Sequence, residues 1–350
     1  MSGRMITIAL DAMGGDHGVR EAIGGAARLS LEDTDIHVLC VGDVGAMDAE
    51  FACVRHDPSR LTLVSAGSWI PMDCKPREAL DAHPDASILV AAALVKDGSA
   101  DALVSAGHTG ATVLAAARTF RRLPGIRRAA LASVYPTAQR HGPHQDPFAL
   151  ILDVGATVSA SAEDLVGFAV MGSAYSAIVS GIARPSVALL SNGTEATKGT
   201  PAIVEAHARL RSGPLNFAGN IEGLDLPKGS ADVVVCDGFL GNVVLKMLEG
   251  VGEVLANVAV EASARSLQWR IGLSMLANGL EQLQKLTDFK VYGGAPMLGL
   301  DRVVIKAHGR SEAGAIRNAL KVAAKSVRGD LIGRIEAGVR EMRLDTEGDT

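Results

Sequence analysis

Aromatic side chains are nearly missing from this chain: phenylalanine, tyrosine and tryptophan make up 3% of its 350 residues. A surface that stacks on nucleobases needs several of them, so single-stranded nucleic acid is excluded as the main partner. The net charge of −5 at pH 7 leaves no basic footprint for nucleic acid of any other kind. Cysteines are few, at positions 40, 53, 74 and 236, and their spacing fits neither a zinc site nor a disulfide framework. A reducing cytoplasm is the expected compartment. Met1–Leu10 has no long apolar run and no small-residue cleavage site, so no signal peptide is expected. Nucleotide signatures are missing too. There is no Gly-x-x-x-x-Gly-Lys-Ser/Thr, no Gly-x-Gly-x-x-Gly after the first apolar run and no Gly-x-Ser-x-Gly elbow. P-loop ATP binding, a standard Rossmann turn and an α/β-hydrolase all lose ground.

What is present in excess is glycine, 39 residues, well above the usual ~7%. Hydrophobic residues make up 48%, enough for a sizeable core. Short apolar, β-branched runs alternate with longer helical stretches. Strands are expected at Ile6–Leu10, Ile36–Val41, Leu61–Val64, Ala102–Ser105, Ala130–Val134, Ala149–Asp153, Val187–Leu190, Val233–Cys236 and Val303–Lys306. Helices are expected at Gly18–Ser30, Ala86–Lys96, Thr109–Arg122, Ala162–Ser180, Pro201–Arg211 and Glu312–Val327, with Ser161 and Asp164 as a capping box before the fourth. The alternation predicts a three-layer α/β sandwich around a mainly parallel sheet. The region 239–289 carries no strand pattern and reads as a projecting helical hairpin turning near Ser266–Gln268. Residues 1–340 are taken as one domain and 341–350 as a frayed tail. Leu165–Ala183 is uncharged and near membrane-spanning length, but its Gly, Ala and Ser content suits a helix packed inside the fold.

Glycine-rich segments follow five of the expected strands: Asp11–Gly18, Ala106–Ala111, Asp153–Thr157, Ser191–Gly199 and Asp237–Asn242. In a parallel sheet these ends line one rim, where open α/β folds bind ligands. Glycines let backbone approach closely, and the helix starts beyond them offer N–H groups to an anion. A single cleft that handles phosphate or another oxyanion is therefore expected. Cys236 stands at a strand end as a possible acyl acceptor, with a small buried strand cysteine as the blander reading. His17, His108 and His308 follow strand ends in glycine-rich context. Asp11 and Asp16 either orient a cation or cap the next helix.

The loops resemble those of phosphate acyltransferases of the PlsX type. The likeness begins at Asp11-Ala12-Met13-Gly14-Gly15-Asp16 and runs through Ser105–Ala111, Asp153–Ala156, Phe168–Ser173, Lys198-Gly199 and Phe217–Gly223. It continues through Asp232–Phe239, Gly241–Val243 and Tyr292–Pro296 to His308–Ser311, in order over nearly the whole chain. His108 and Thr157 stand where that family usually has Asn, and Ser191–Lys198 is less acidic than usual. The resemblance implies a fold like that of phosphate acetyltransferases and isocitrate dehydrogenases. It implies transfer of a fatty acyl group from acyl carrier protein to inorganic phosphate, with no metal or organic cofactor. It further implies a cytoplasmic homodimer that docks on the inner membrane surface and supplies a glycerol-3-phosphate acyltransferase. A short-chain acyl-CoA enzyme and a non-catalytic anion-binding scaffold stand as alternatives.

On that reading Lys198, Asp237, Asn242 and His308 are the catalytic candidates. Phosphate and acyl contacts are expected from Asp11, Gly14, Gly15, Asp16, Gly107, His108, Thr109, Gly110, Gly193, Gly238, Gly241, Lys246, Gly293 and Gly294, with Lys306 as a further candidate cation. Direct attack by phosphate is preferred over an acyl-cysteine, because a thiolate leaves readily. Arg118, Arg121, Arg122, Arg127 and Arg128 cluster around Leu123-Pro124-Gly125, where they would steer an acidic carrier protein or merely solvate a helix end. Leu267, Trp269, Ile271 and Leu273, beside Arg265 and Arg270, suit an interfacial membrane contact or a packed dimer.

Overall fold

The computed structural model describes residues 4–265, 268, 271 and 293–344. Its strands are β1 Ile6–Asp11, β2 Ile36–Gly42, β3 Leu61–Ser65, β4 Ala102–Ser105, β5 Ala130–His141, β6 Asp146–Leu152, β7 Ser186–Leu190, β8 Asn216–Ile221, β9 Val233–Val235, β10 Ala295–Leu298 and β11 Val303–Lys306. The helices are α1 Val19–Glu32, α2 Val44–Phe51, α3 Pro76–Ala82, α4 Ser87–Lys96, α5 Thr109–Thr119, α6 Ala162–Val179, α7 Pro201–Ser212, α8 Gly238–Arg265, α9 Ala313–Arg328 and α10 Leu331–Glu341.

All the strands join one 11-stranded sheet, in the order β3-β2-β1-β4-β11-β10-β5-β6-β9-β7-β8. The side chains of β1 show why it is covered on both faces. Ile8 and Leu10 enter one apolar layer with Ile23 of α1 and Ile316 of α9, while Ala9 enters the opposite layer with Ala91 of α4. Such period-two sorting of continuous apolar runs is what a buried strand requires. The layer containing Ala9 extends under both halves of the sheet and is covered by α3, α4, α5 and α8. On the other face, α1 and α9 cover the first half, and α6, α7 and α10 cover the second.

The uncharged stretch is α6. It is long and apolar enough to cross a membrane, yet 78% of it is buried inside the fold. A helix that is apolar all round belongs in such a layer. Its start carries the capping box, with Asp164 N–H donating to Ser161 Oγ and Ser161 N–H to Asp164 Oδ2. Phe168 and Leu165 are buried against the sheet, each contributing roughly 1.5–3 kcal/mol. Phe168→Asp would leave an unpaired charge in this layer and break it. Met342 and Leu344, in the segment expected to fray, pack on the same core. Of the expected hairpin, α8 is described. Leu267, Trp269 and Leu273 lie outside the described residues, and Ile271 is exposed.

Strand direction overturns one expectation. β1, β2, β3, β4 and β11 run parallel to one another. β10 is antiparallel to both β11 and β5, and β5 is antiparallel to β6. β6, β9, β7 and β8 are again mutually parallel. The second half of the sheet therefore points opposite to the first, and the glycine loops divide between two rims, separated by a strand length on the order of 15 Å. The cause is local. Residues 142–145 join β5 to β6, and so short a connection makes a hairpin, whereas a parallel crossover needs a dozen or more residues.

Candidate active site

The first rim holds the ends of β1, β4 and β11 and the start of β10. Asp11 is buried there, accepting hydrogen bonds from Ser87 Oγ at 2.6 Å and Ser105 Oγ at 2.7 Å. Ser105 Oγ in turn accepts from Gly107 N–H at 3.0 Å. Burial raises the Asp11 carboxyl above its usual range against these hydrogen bonds, and burial lowers Lys306 to about 8 despite the nearby charges of Asp11 and Asp16. The Lys306 ammonium donates to the Ala307 carbonyl. Gly14 lies against Gly107, and a Cβ on Gly14 would fall 2.5 Å from Gly107 N. The crevice between β1 and β4 is thereby closed by backbone, with a cavity of only about 10 Å³ beside it.

Around this closed crevice sit the other first-rim candidates. Asp16 N–H donates to Gly309 O at 2.8 Å, tying Gly15-Asp16 to the His308 loop. His308 Nδ1 accepts from Arg310 N–H. His108 caps α5 by accepting from Ala111 N–H at 3.3 Å, with Thr109 as the first helical residue and Gly110 facing Pro76. Gly294 lies on the Lys306 carbonyl, and Gly293 on α9 beside Val322.

The second rim is built differently. β6, β9 and β7 are adjacent and end side by side. β6 and β7 send α6 and α7 to one face, while β9 sends α8 to the other. Diverging helices of this kind leave a crevice at the strand ends. Asp153 is fully buried, and its carboxylate accepts from the N–H groups of Leu131, Gly155, Ala156 and Thr157 at 2.7–3.1 Å. That folds the 153–157 loop into a rigid seat. Thr157 Oγ1 accepts from Gly238 N–H at 3.1 Å, and Asp237 Oδ1 accepts from Leu240 N–H at 2.9 Å, capping the first turn of α8. Gly241 faces the seat so closely that a Cβ would lie 1.9 Å from Asp153 O.

The positive end of α8 therefore points at this rim. Asn242 is exposed in its first turns, and Lys246 is exposed one turn further on the same face. The β7 end adds the Ser191–Gly199 loop, where Gly193 lies on the Lys198 stem and Lys198 is exposed. Lys198, Asp237, Asn242, Gly193, Gly238 and Gly241 thus share a rim, and His308 is on the other. Cys236 is buried under the seat, its Sγ facing Asp153 O at 3.5 Å. Burial and the carboxylates of Asp237 and Asp153 push its thiol far up.

Comparison with known proteins identifies the chain. The model of the family described as "Fatty acid synthesis protein" matches residues 6–334. The "Phosphate acyltransferase" of Heliobacterium modesticaldum is 44% identical over 330 residues, 94% of this chain and 96% of that protein. That of Nostoc punctiforme is 41% identical over 338 residues, 96% and 97% of the two chains. The chain belongs to the phosphate acyltransferase family. Its fold is similar to a solved phosphotransacetylase from Streptococcus pyogenes, with TM-score 0.60 and 18% identity over 92% of this chain and 94% of that one. A branched-chain phosphotransacylase from Enterococcus faecalis superposes with TM-score 0.54 and 15% identity, covering 92% and 99%.

In this phosphate acyltransferase family member, two second-rim features were not foreseen from the sequence. One is the Asp153 seat: the Asp153–Thr157 loop was expected at a ligand rim, but its folding by the buried Asp153 carboxylate into a seat for α8 was not. The other is a half-open cavity of about 1210 Å³ next to it, between the C-terminal half of α5 and the start of β5. Ala156 and Thr157 form one wall, and Arg121, Arg122, Arg127 and Arg128 stand around it. Three of these arginines are held by acids: Arg121 by Asp301 at 3.4 Å, Arg127 by Glu163, and Arg128 by Asp164 at 3.6 Å. Arg118 turns instead to Asp81 at 2.7 Å.

Proposed function

We propose that this chain transfers a fatty acyl group from acyl carrier protein to inorganic phosphate at the second rim. The observation that supports this reading best is the convergence of the β6, β9 and β7 loops on the N-terminus of α8. Phosphate is already anionic near neutral pH and needs positioning more than activation. The α8 N-terminus and Lys198 hold it, with Lys246 adding positive charge. A phosphate oxygen attacks the thioester carbonyl carbon, and the new C–O bond forms as the C–S bond breaks. Hydrogenphosphate gives up its proton to the departing thiolate, so acyl phosphate and free thiol leave. The Asn242 amide donates to the developing oxyanion. Asp237 acts through its cap on α8, as a positioning residue.

We read residues 1–340 as one catalytic unit working as a homodimer in the cytoplasm. Phe239, Val243, Met247, Val251, Val254 and Val258 form an exposed apolar stripe along α8 at helical spacing, which supports pairing with a second copy. The acyl phosphate passes to a glycerol-3-phosphate acyltransferase at the membrane. Contact with that membrane is assigned to the basic, apolar segment at Leu267, Trp269, Ile271 and Leu273.

A hydroxylamine trap tests the reaction. Palmitoyl carrier protein with phosphate should give palmitoyl hydroxamate through acyl phosphate faster than hydroxylamine cleaves the thioester directly, and omission of phosphate should return the rate to that background. Equal product without phosphate would overturn the reading. Faster turnover with acetyl-CoA would favour the short-chain alternative.

A further inference from the structure

We propose that the cavity beneath the C-terminal half of α5 receives the fatty acyl chain and sets the chain length the enzyme accepts. This rests on the acyl-transfer reading above.

The cavity, about 1210 Å³, exceeds the roughly 300–1,000 Å³ that encloses a drug-sized ligand. Apolar side chains dominate its walls, among them Val113, Ala117, Phe120, Ile126, Met297 and Leu300. That part of the lining suits a hydrocarbon, while Arg121, Arg122, Arg127, Arg128, Glu163 and Thr157 make the rest of it polar. Its position is as telling as its size. Thr157 belongs at once to the cavity wall and, through Gly238 N–H, to the first turn of α8. A chain lying in the cavity therefore has its thioester end next to the proposed phosphate site.

The arginines fit the same occupant. A long basic side chain can lay its stem on apolar wall and keep its head in water. Asp301, Glu163 and Asp164 hold three of the heads in place. Four arginines against three paired acids still leave the mouth of the cavity net positive, which favours the acidic carrier to which the chain is attached, while Val113, Phe120, Ile126 and Met297 supply apolar wall.

Ala117 lines the cavity from an exposed position on α5, so a large side chain there narrows the space without disturbing the core. Each methylene kept out of an apolar site lowers affinity roughly fourfold, so shutting out three of them costs about sixtyfold. The experiment compares kcat/KM for octanoyl and palmitoyl carrier protein in the wild type and in Ala117→Trp. The palmitoyl-to-octanoyl ratio should fall by at least about tenfold in the variant. An unchanged ratio, with the variant folded by circular dichroism, overturns the proposal. Binding of cis-parinaric acid, a fluorescent fatty acid, is measured alongside and needs no turnover. If the wild type makes no acyl phosphate from any donor, the reaction reading fails, and binding alone decides the cavity. Weaker binding in Ala117→Trp supports the cavity, and equal or absent binding in both proteins sinks it.

Discussion

The two rims of the sheet are made from the same parts and differ in what they leave open. Each has a strand end with an aspartate, glycines that allow backbone to touch backbone, and neighbouring strands whose helices leave to different faces. At the first rim Gly14 meets Gly107, Asp11 is consumed by Ser87 and Ser105, and almost no space is left. At the second, Asp153 is equally consumed, but by its own loop and Leu131 N–H, and the helix it seats presents Asn242 and Lys246 outward on the rim that also carries Lys198. Glycine-rich loops after strands thus mark places where chain segments approach closely. Whether a ligand enters depends on what the approach leaves uncovered.

Substitutions at each rim sharpen that contrast. The largest effect is expected from Asp11→Ala, which leaves the buried Ser87 and Ser105 hydroxyls without their shared acceptor and removes the carboxylate charge near Lys306, and lowers unfolding free energy by about 2–3 kcal/mol, read from urea denaturation. At the second rim Lys198→Ala should leave the urea midpoint in place and lower turnover by about 10²–10³-fold. If Lys198→Ala destabilised the fold and Asp11→Ala spared it, the contrast would be reversed. Charge reversal at Arg121 and Arg122 should raise KM for acyl carrier protein about tenfold, through lost electrostatic guidance; an unchanged KM would remove the arginines from docking.

The pH response separates the rims further. Lys306 titrates at about 8 in the fold against an ordinary 10.5. Between those values the unfolded chain binds the extra proton, so stability rises with pH, by at most about 1.4 kcal/mol per unit. Below about pH 8 the buried ammonium exerts its full destabilising effect. The wild type should therefore gain on Lys306→Met across that window, and parallel unfolding curves would refute the assignment. The smallest effect is expected at Cys236→Ala. With its thiol pushed up by burial, Cys236 is no ready nucleophile, and trapped hydroxamate should change by less than about threefold.

Much of the fold was legible from local pattern. β4 and β11 have the expected bounds, and the capping box at Ser161 and Asp164 is present. These features depend on residues close in sequence. β8 and β10 were missed because their short runs are broken by Gly219 and Pro296, residues that weaken a strand signal. The single rim failed for another reason. Strand polarity follows from how each strand is connected, and the signal lay in Gly142-Pro143-His144-Gln145, a short turn between two apolar runs. Lys198, Asp237 and Asn242 share a rim because each lies just past a strand of the same half. His308 shares their glycine-rich setting without their polarity.

That reversal of the half-sheet also separates two kinds of evolutionary freedom. A strand length stands between the buried Asp11 and Lys306 and the loops around α8. Lesions at the two places should therefore combine without interaction, their free energies simply adding. If the second rim is the transfer site, the chain can drift toward new acyl donors at one margin while the other continues to hold the sheet together.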